Sequence, residues 1–156
     1  MRVCVGGTFN VLHKGHQCLI GQALSIAGSV GFVFIGVAVD ELVAQKKQVK
    51  TFEKRKDQLI DFISQKRVVP TVVIEPIRNR FGPTIKQDFD VIVVSPETIS
   101  VAREINKERQ KKEKKQMKIV QIPFILADDG KPISSTRIMN GEINADGSIA
   151  ANGEAE

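Results

Sequence analysis

Gly6-Gly7-Thr8-Phe9-Asn10-Val11-Leu12-His13-Lys14-Gly15-His16 lies between a short apolar run, Val3-Cys4-Val5, and a segment that places Leu19, Ile20, Ala23, Leu24 and Ala27 on one helical face. That order predicts a strand, a glycine turn and a helix. Two glycines let the backbone approach a bulky anion closely, and the helix that follows directs free N–H groups at it. His13 and His16 are the chain's only histidines, and both add donors in this one loop.

Working outward, apolar runs alternate with amphipathic segments. Strands are predicted over residues 2–6, 32–39, 71–74, 91–94 and 119–122, and helices over 16–27, 52–65, 95–115 and 133–138. The run at 32–39 is continuously apolar, as expected of a strand buried on both faces. Thr51 fits the cap of the second helix, whose apolar face reads Phe52, Leu59, Ile60 and Ile63. Ser95 fits a helix N-cap, with Pro96 in the first turn and Glu97 at the positive end of the dipole. The basic loop 43–50 carries Lys46, Lys47 and Lys50, and Asp128-Asp129-Gly130 reads as a turn. Strand and helix in alternation predict a Rossmann-like, doubly wound α/β fold: a parallel five-stranded sheet with helices on both faces. Ligands of such sheets bind beyond the carboxyl ends of the strands. The loops after the first, fourth and fifth strands (6–16, 95–98 and 134–137) should therefore line one crevice. All three are rich in glycine or small hydroxyl residues at a helix start, which suits phosphate.

Composition narrows the partners. A chain of 156 residues is most simply one domain, here expected over 1–145, with a disordered tail over 146–156. No run of about 18 apolar residues predicts a membrane span, and nothing ahead of the first strand reads as a signal peptide. Cys4 and Cys18 form neither a metal pattern nor a disulfide framework, so a cytoplasmic setting is expected. Of the net charge of +5, much sits in Lys107, Arg109, Lys111, Lys112, Lys114, Lys115 and Lys118. This run lacks the aromatics that base stacking requires and reads as a solvated helix end. The expected partners are thus small phosphorylated molecules, with neither nucleic acid nor membrane, and a monomer is the expected state.

His13-x-Gly15-His16 after Gly7-Thr8-Phe9 resembles the HxGH signature of the nucleotidyltransferase superfamily, and Ile133-Ser134-Ser135-Thr136-Arg137 resembles its second, ISSTxxR motif. Three further stretches are similar to the archaeal and eukaryotic pantetheine-phosphate adenylyltransferase family. They are Phe81-Gly82-Pro83 followed by Val93-Val94-Ser95-x-Glu97-Thr98, the Gly141-Glu142-Ile143 that follows Ile138, and Lys46-Lys47 with Thr51-x-Glu53-x-Arg55. The resemblance extends to Gly147. It implies transfer of AMP from ATP to 4′-phosphopantetheine, giving dephospho-coenzyme A and pyrophosphate, with Mg²⁺. Such enzymes usually carry Asp where this chain has Asn10 and Asn79, and Asn accepts a hydrogen bond without charge.

The attacking phosphomonoester has a second pKa of about 6, so no general base is required. The site must align two anions and stabilise charge on the α-phosphate and the leaving pyrophosphate. On that reading His16 is the main charge stabiliser, His13 touches the same triphosphate or the ribose, and Thr8 bridges nucleotide and acceptor. Lys46 either steers the acceptor phosphate or is an exposed loop lysine. Ser134, Ser135, Thr136 and Arg137 hold the β- and γ-phosphates, while Gly7, Phe9, Ser95, Glu97 and Thr98 complete the nucleotide side. No carboxylate cluster suggests a metal held by the protein. The alternatives are a flavin-phosphate adenylyltransferase, a CTP-dependent cytidylyltransferase, and a nucleotide-binding protein without catalysis. Asp128-Asp129-Gly130-Lys131-Pro132, standing where cytidylyltransferases tend to have Arg-Thr-x-Gly, favours ATP.

Overall fold

In the computed structural model, which describes residues 1–67 and 69–150, the alternation resolves into five strands and four α-helices. They run β1 (Arg2–Gly7), α1 (Lys14–Ala27), β2 (Phe32–Ala38), α2 (Phe52–Ser64), β3 (Thr71–Ile77), β4 (Val91–Val94), α3 (Ile99–Lys111), β5 (Lys118–Gln121) and α4 (Ser135–Met139). A single turn of 3₁₀ helix, Asp40–Val43, follows β2. All strand pairs are parallel, in the order β3-β2-β1-β4-β5. This is the doubly wound α/β arrangement that the sequence predicts.

Alternate side chains of the central strands point to opposite faces. Val3, Val5, Val33, Ile35, Val37, Val91 and Val93 pack under α1 and α2. Cys4, Phe34, Ile92 and Val94 pack under α3 with Phe89 and Met117. The five residues predicted as the apolar face of α1 are its buried residues. In α2 the buried face is Arg55, Leu59 and Ile63, and Ile60 is exposed. β3 continues three residues beyond its predicted end, through Pro76. A proline without an N–H is tolerated there because β3 is the edge of the sheet.

The strand order reverses between β1 and β4, and there the ladder is short. β1 pairs with β2 from Arg2 to Gly7, but with β4 only at Val3↔Val91 and Cys4↔Ile92. Beyond Cys4 the two strands part, and the crevice opens at their carboxyl ends, where doubly wound sheets bind ligands.

Several helix ends differ from the sequence reading; α4, for one, starts at Ser135 and not at 133, with Ser134 as its cap. α1 starts two residues early because the His13 imidazole caps it, Nδ1 accepting from His16 N–H at 3.2 Å. α3 starts at Ile99 and not after Ser95: residues 95–98 form a turn in which Thr98 Oγ1 accepts from Ser95 N–H at 3.1 Å. The same helix stops at Lys111 because Glu113 takes a positive φ of 57°, letting Lys114 N–H bond back to Arg109 O at 2.8 Å. The start of the expected tail is also ordered. Ile143 bridges Ile149, Ala150 is buried, and Lys14 N–H donates to Ala145 O at 2.8 Å, so 142–150 packs against the first loop. Residues 151–156 lie outside the described residues.

Arg109, read from sequence as part of a solvated charge run, is fully buried. Its guanidinium donates to Lys115 O (2.6 Å), Thr84 O (2.7 Å), Gln87 O (3.1 Å) and Asp88 Oδ1 (2.5 Å), fastening the 84–88 loop to α3. Arg109→Met should strand those carbonyls and lower stability by about 2 kcal/mol, read as the urea midpoint. A midpoint unchanged in the variant would show the clamp to be redundant.

Candidate active site

The crevice is a cleft of about 740 Å³. Its floor is the first loop (Gly6 to Asn10, with His13, Gly15 and His16), and its walls are residues 45–49, 95–98, 122–125 and 133–136. The three loops expected to meet at the ends of β1, β4 and β5 therefore do meet.

The first loop is built around Phe9. This residue is fully buried with a positive φ of 51°, a conformation that costs an L-residue about 1–2 kcal/mol. Its ring stands edge-on to His16, with centroids 5.1 Å apart. A Cβ on Gly7 would lie 3.1 Å from that ring, and one on Gly15 would lie 2.9 Å from the His13 ring. Both glycines thus leave room for the side chains that set the histidines.

The histidines stack face to face, with centroids 3.7 Å apart and planes 15° apart. Hydrogen bonding fixes both tautomers. His13 Nδ1 accepts from the His16 amide, so its proton sits on Nε2. His16 Nδ1 lies 2.8 Å from Val11 O, which only accepts, so Nδ1 carries the proton and neutral Nε2 is a lone-pair acceptor. Burial lowers the His13 pKa to about 4. Burial, then the adjacent His13 and Lys46 charges, lowers His16 to about 3 against the pull of the Val11 carbonyl. Both rings are neutral at pH 7. His13 Nε2–H is a ready donor, while His16 becomes one by gaining a proton, which an anion in the cleft favours. The sequence reading treats His16 as a donor outright; the Val11 carbonyl makes that conditional on proton uptake.

Thr8 and Lys46 are joined directly, Lys46 Nζ donating to Thr8 Oγ1 at 2.6 Å. This contact brings the basic loop into the site. Asn10, 5% exposed, links the same segments: Oδ1 accepts from Lys50 N–H (2.8 Å), and Nδ2 donates to Gln48 O (3.2 Å) and lies 3.7 Å from Met139 Sδ. Both halves of the amide are used, so a carboxylate would leave the Gln48 carbonyl facing another acceptor. Asn79 uses only its oxygen, accepting from Phe81 N–H and Gly82 N–H at 3.1 and 2.9 Å, as Asp would.

At the far wall Ser134 caps α4, its Oγ accepting from Arg137 N–H at 3.2 Å, and Ser135 and Thr136 line the cleft beside it. Ser95, Glu97 and Thr98 line it from the β4 side. Arg137 does not. Its guanidinium pairs with Asp129, with Glu142 Oε2 at 2.9 Å and with Pro132 O at 3.0 Å, and the two carboxylates raise its pKa. The expected phosphate fork is engaged with residues of the 129–142 segment instead. The Asp129 and Glu142 partners were not visible as such from sequence spacing. Phe124, half exposed on the wall after β5, is a further lining residue that no motif signals.

A second, smaller cavity of about 220 Å³ shares Thr8 and Lys46 with the cleft and is lined by Phe34, Leu42, Ile77, Phe81 and, from α3, Val101 and Ile105. Cys4 borders it, but burial pushes its thiol up to about 12, so it offers no nucleophile. Among the described residues no cluster of three or more His, Cys, Asp or Glu could hold a metal ion, and no helix is long and apolar enough to cross a membrane.

Comparison with known proteins agrees with this geometry. The profile of the cytidylyltransferase-like family matches residues 4–141. The chain is 47% identical over 150 residues to a phosphopantetheine adenylyltransferase of Methanosarcina mazei, covering 95% of this chain and 96% of that one. It is 39% identical over 150 residues to the protein of the same name from Archaeoglobus fulgidus, covering 96% and 99%. Among solved structures, a protein of unknown function from Archaeoglobus fulgidus superposes with a TM-score of 0.69 at 35% identity, covering 78% of this chain and 89% of that one. A pantoate-beta-alanine ligase from Francisella tularensis shares the fold alone, with a TM-score of 0.58 at 14% identity over 89% of this chain and 64% of that one.

Proposed function

The chain belongs to the cytidylyltransferase-like family, and on that premise we propose that it is a phosphopantetheine adenylyltransferase, moving AMP from ATP to 4′-phosphopantetheine with release of pyrophosphate. The observation that carries this reading is the junction at Thr8 and Lys46. On one side lies a cleft edged by three helix starts or turns rich in N–H and hydroxyl donors; on the other lies a smaller, mostly apolar cavity. An acceptor phosphate held at Thr8 and Lys46 faces the nucleotide, while its flexible arm occupies the cavity under α3. The near-full-length relatives of the same name support it.

Each residue then has a defined task. The acceptor phosphate attacks as a dianion, its second pKa being about 6, and needs no base. Lys46 offsets its charge and Thr8 sets its approach to the α-phosphate. His13 Nε2–H donates to the triphosphate, and His16, on taking up a proton, adds a second donor and a positive charge where negative charge develops. Ser134, Ser135 and Thr136, with the free amides of α4, hold the outer phosphates; Gly7, Ser95, Glu97 and Thr98 bound the nucleotide, and Phe124 offers an apolar face to its base. Mg²⁺ would arrive with ATP, screening the phosphates, since Glu97 is the one carboxylate among the residues lining the cleft. With these substrates the reaction is a step of coenzyme A synthesis, and the cytoplasm is the setting this reading proposes for it.

Incubating the protein with Mg-ATP and 4′-phosphopantetheine should yield dephospho-coenzyme A and pyrophosphate in equal amounts. Product formation only with CTP or with a flavin phosphate, or with none of these, overturns the reading.

A further inference from the structure

Arg55 is 3% exposed on the inner face of α2, yet none of the ion pairs among the described residues involves it. Its partners are backbone carbonyls. NH1 donates to Thr8 O (3.0 Å) and Ala38 O (2.6 Å), and Nε donates to Lys50 O (2.9 Å) and, at the limit of bonding distance, Thr51 O (3.4 Å). Three segments thus converge on one guanidinium: the glycine loop after β1, the end of β2, and the end of the basic loop before α2. A buried cation without a carboxylate is costly, and carbonyl dipoles offset only part of that cost. Burial lowers its pKa, and the charge of nearby Glu53 offsets part of that shift.

The same short stretch is gripped from its other side. Asn10 takes the amide of Lys50 while Arg55 takes its carbonyl, and Asn10 also donates to Gln48 O. Gln48 is held at a positive φ of 56°, as is Phe9 at 51°, one on each strand of the junction. Non-glycine residues persist in that region only when their surroundings over-determine them. Two residues before Gln48 stands Lys46, whose sole side-chain partner among the described residues is Thr8 Oγ1, the side chain of the residue whose carbonyl Arg55 holds.

We propose that Arg55, with Asn10 as its second arm, is a positioning residue that latches the 46–50 loop to the glycine loop and so sets Lys46 against Thr8 for the acceptor phosphate. The inference deepens the adenylyl-transfer reading and rests on it. Arg55 touches no substrate; it acts through Lys46. Lysine in its place keeps the charge but cannot reach Thr8, Ala38 and Lys50 together.

The test is a double-mutant cycle of Arg55→Lys and Lys46→Ala, read as kcat and KM for each substrate and as the affinity for inorganic phosphate. With Lys46 present, Arg55→Lys should lower kcat/KM for phosphopantetheine roughly tenfold or more while moving KM for ATP little; in the Lys46→Ala background the same change should cost less than about threefold. Equal factors in both backgrounds would mean that Arg55 supports the fold generally, and the latch would be wrong. If Arg55→Lys does not fold, Asn10→Ala replaces it in the same cycle with the same expected coupling. Should the wild type fail to use phosphopantetheine, the adenylyl-transfer reading falls, while coupling between the two sites in the affinity for inorganic phosphate, the group Lys46 and Thr8 are set to hold, still decides the latch: its absence overturns it.

Discussion

Replacing His16 by Asn should lower kcat/KM by about 10²–10³-fold while moving Tm by less than about 4 °C. The split follows from what each ring nitrogen does. Nδ1 is structural, bonded to the Val11 carbonyl at 2.8 Å, and an Asn side-chain amide can keep that bond. Nε2 has no partner among the described residues, so its loss leaves nothing unsatisfied. Removing one donor aimed at developing charge typically costs this much in rate, and about 1 kcal/mol in a chain of this size corresponds to a few degrees. His16 gains its donor proton only when the anion is present, so Mg-ATP binding near pH 7 should be accompanied by proton uptake. Calorimetry in buffers of different ionisation enthalpy measures this, and the uptake should be absent in His16→Asn. A large fall in Tm with a proportionate fall in activity would instead make His16 a core residue. Full activity in the variant would remove it from the chemistry.

His13 separates cap from charge in the same way. His13→Ala loses the cap of α1 and should lose stability as well as activity, whereas His13→Asn retains an acceptor for the His16 amide.

Much of this site is legible in the sequence. Strand and helix alternation places the three phosphate-friendly loops at one end of the sheet because a doubly wound topology leaves them nowhere else, and the buried face of α1 follows from its spacing alone. What the sequence could not carry were contacts between distant residues. Arg109 looks like one more lysine-rich surface position; only the return of the 84–88 loop over α3 makes it buried. Arg137 looks like a phosphate fork because it follows Ser-Ser-Thr, but Asp129 and Glu142 reach it first. Asn10 looks like a lost charge, yet its amide is the one side chain there that can donate to Gln48 and accept from Lys50 together. Ser95 satisfies every local rule for an N-cap. Thr98 nevertheless bonds its amide, and the helix begins four residues later.

The stacked histidines also predict how the fold responds to acid. Both pKa values are depressed, His13 from 6.5 to about 4 and His16 from 6.5 to about 3, chiefly by burial. The unfolded chain therefore binds protons that the folded chain excludes. Their contribution to stability is complete above pH 6.5 and is lost as pH falls through the folded values. For His13 alone the loss is at most about 3 kcal/mol, and it is larger for the pair. The urea midpoint should thus fall steadily between pH 6.5 and pH 4. His13→Asn combined with His16→Asn, which keeps the cap and the Val11 bond but cannot titrate, should flatten that slope. Saturating pyrophosphate should flatten it too, because an anion in the cleft favours the imidazolium that burial opposes. A slope unchanged by both the double substitution and pyrophosphate would assign the acid sensitivity to carboxylates elsewhere. It would also separate the histidine pair from the anion site, since a ring that exchanges its proton with a bound phosphate must feel that phosphate in its titration.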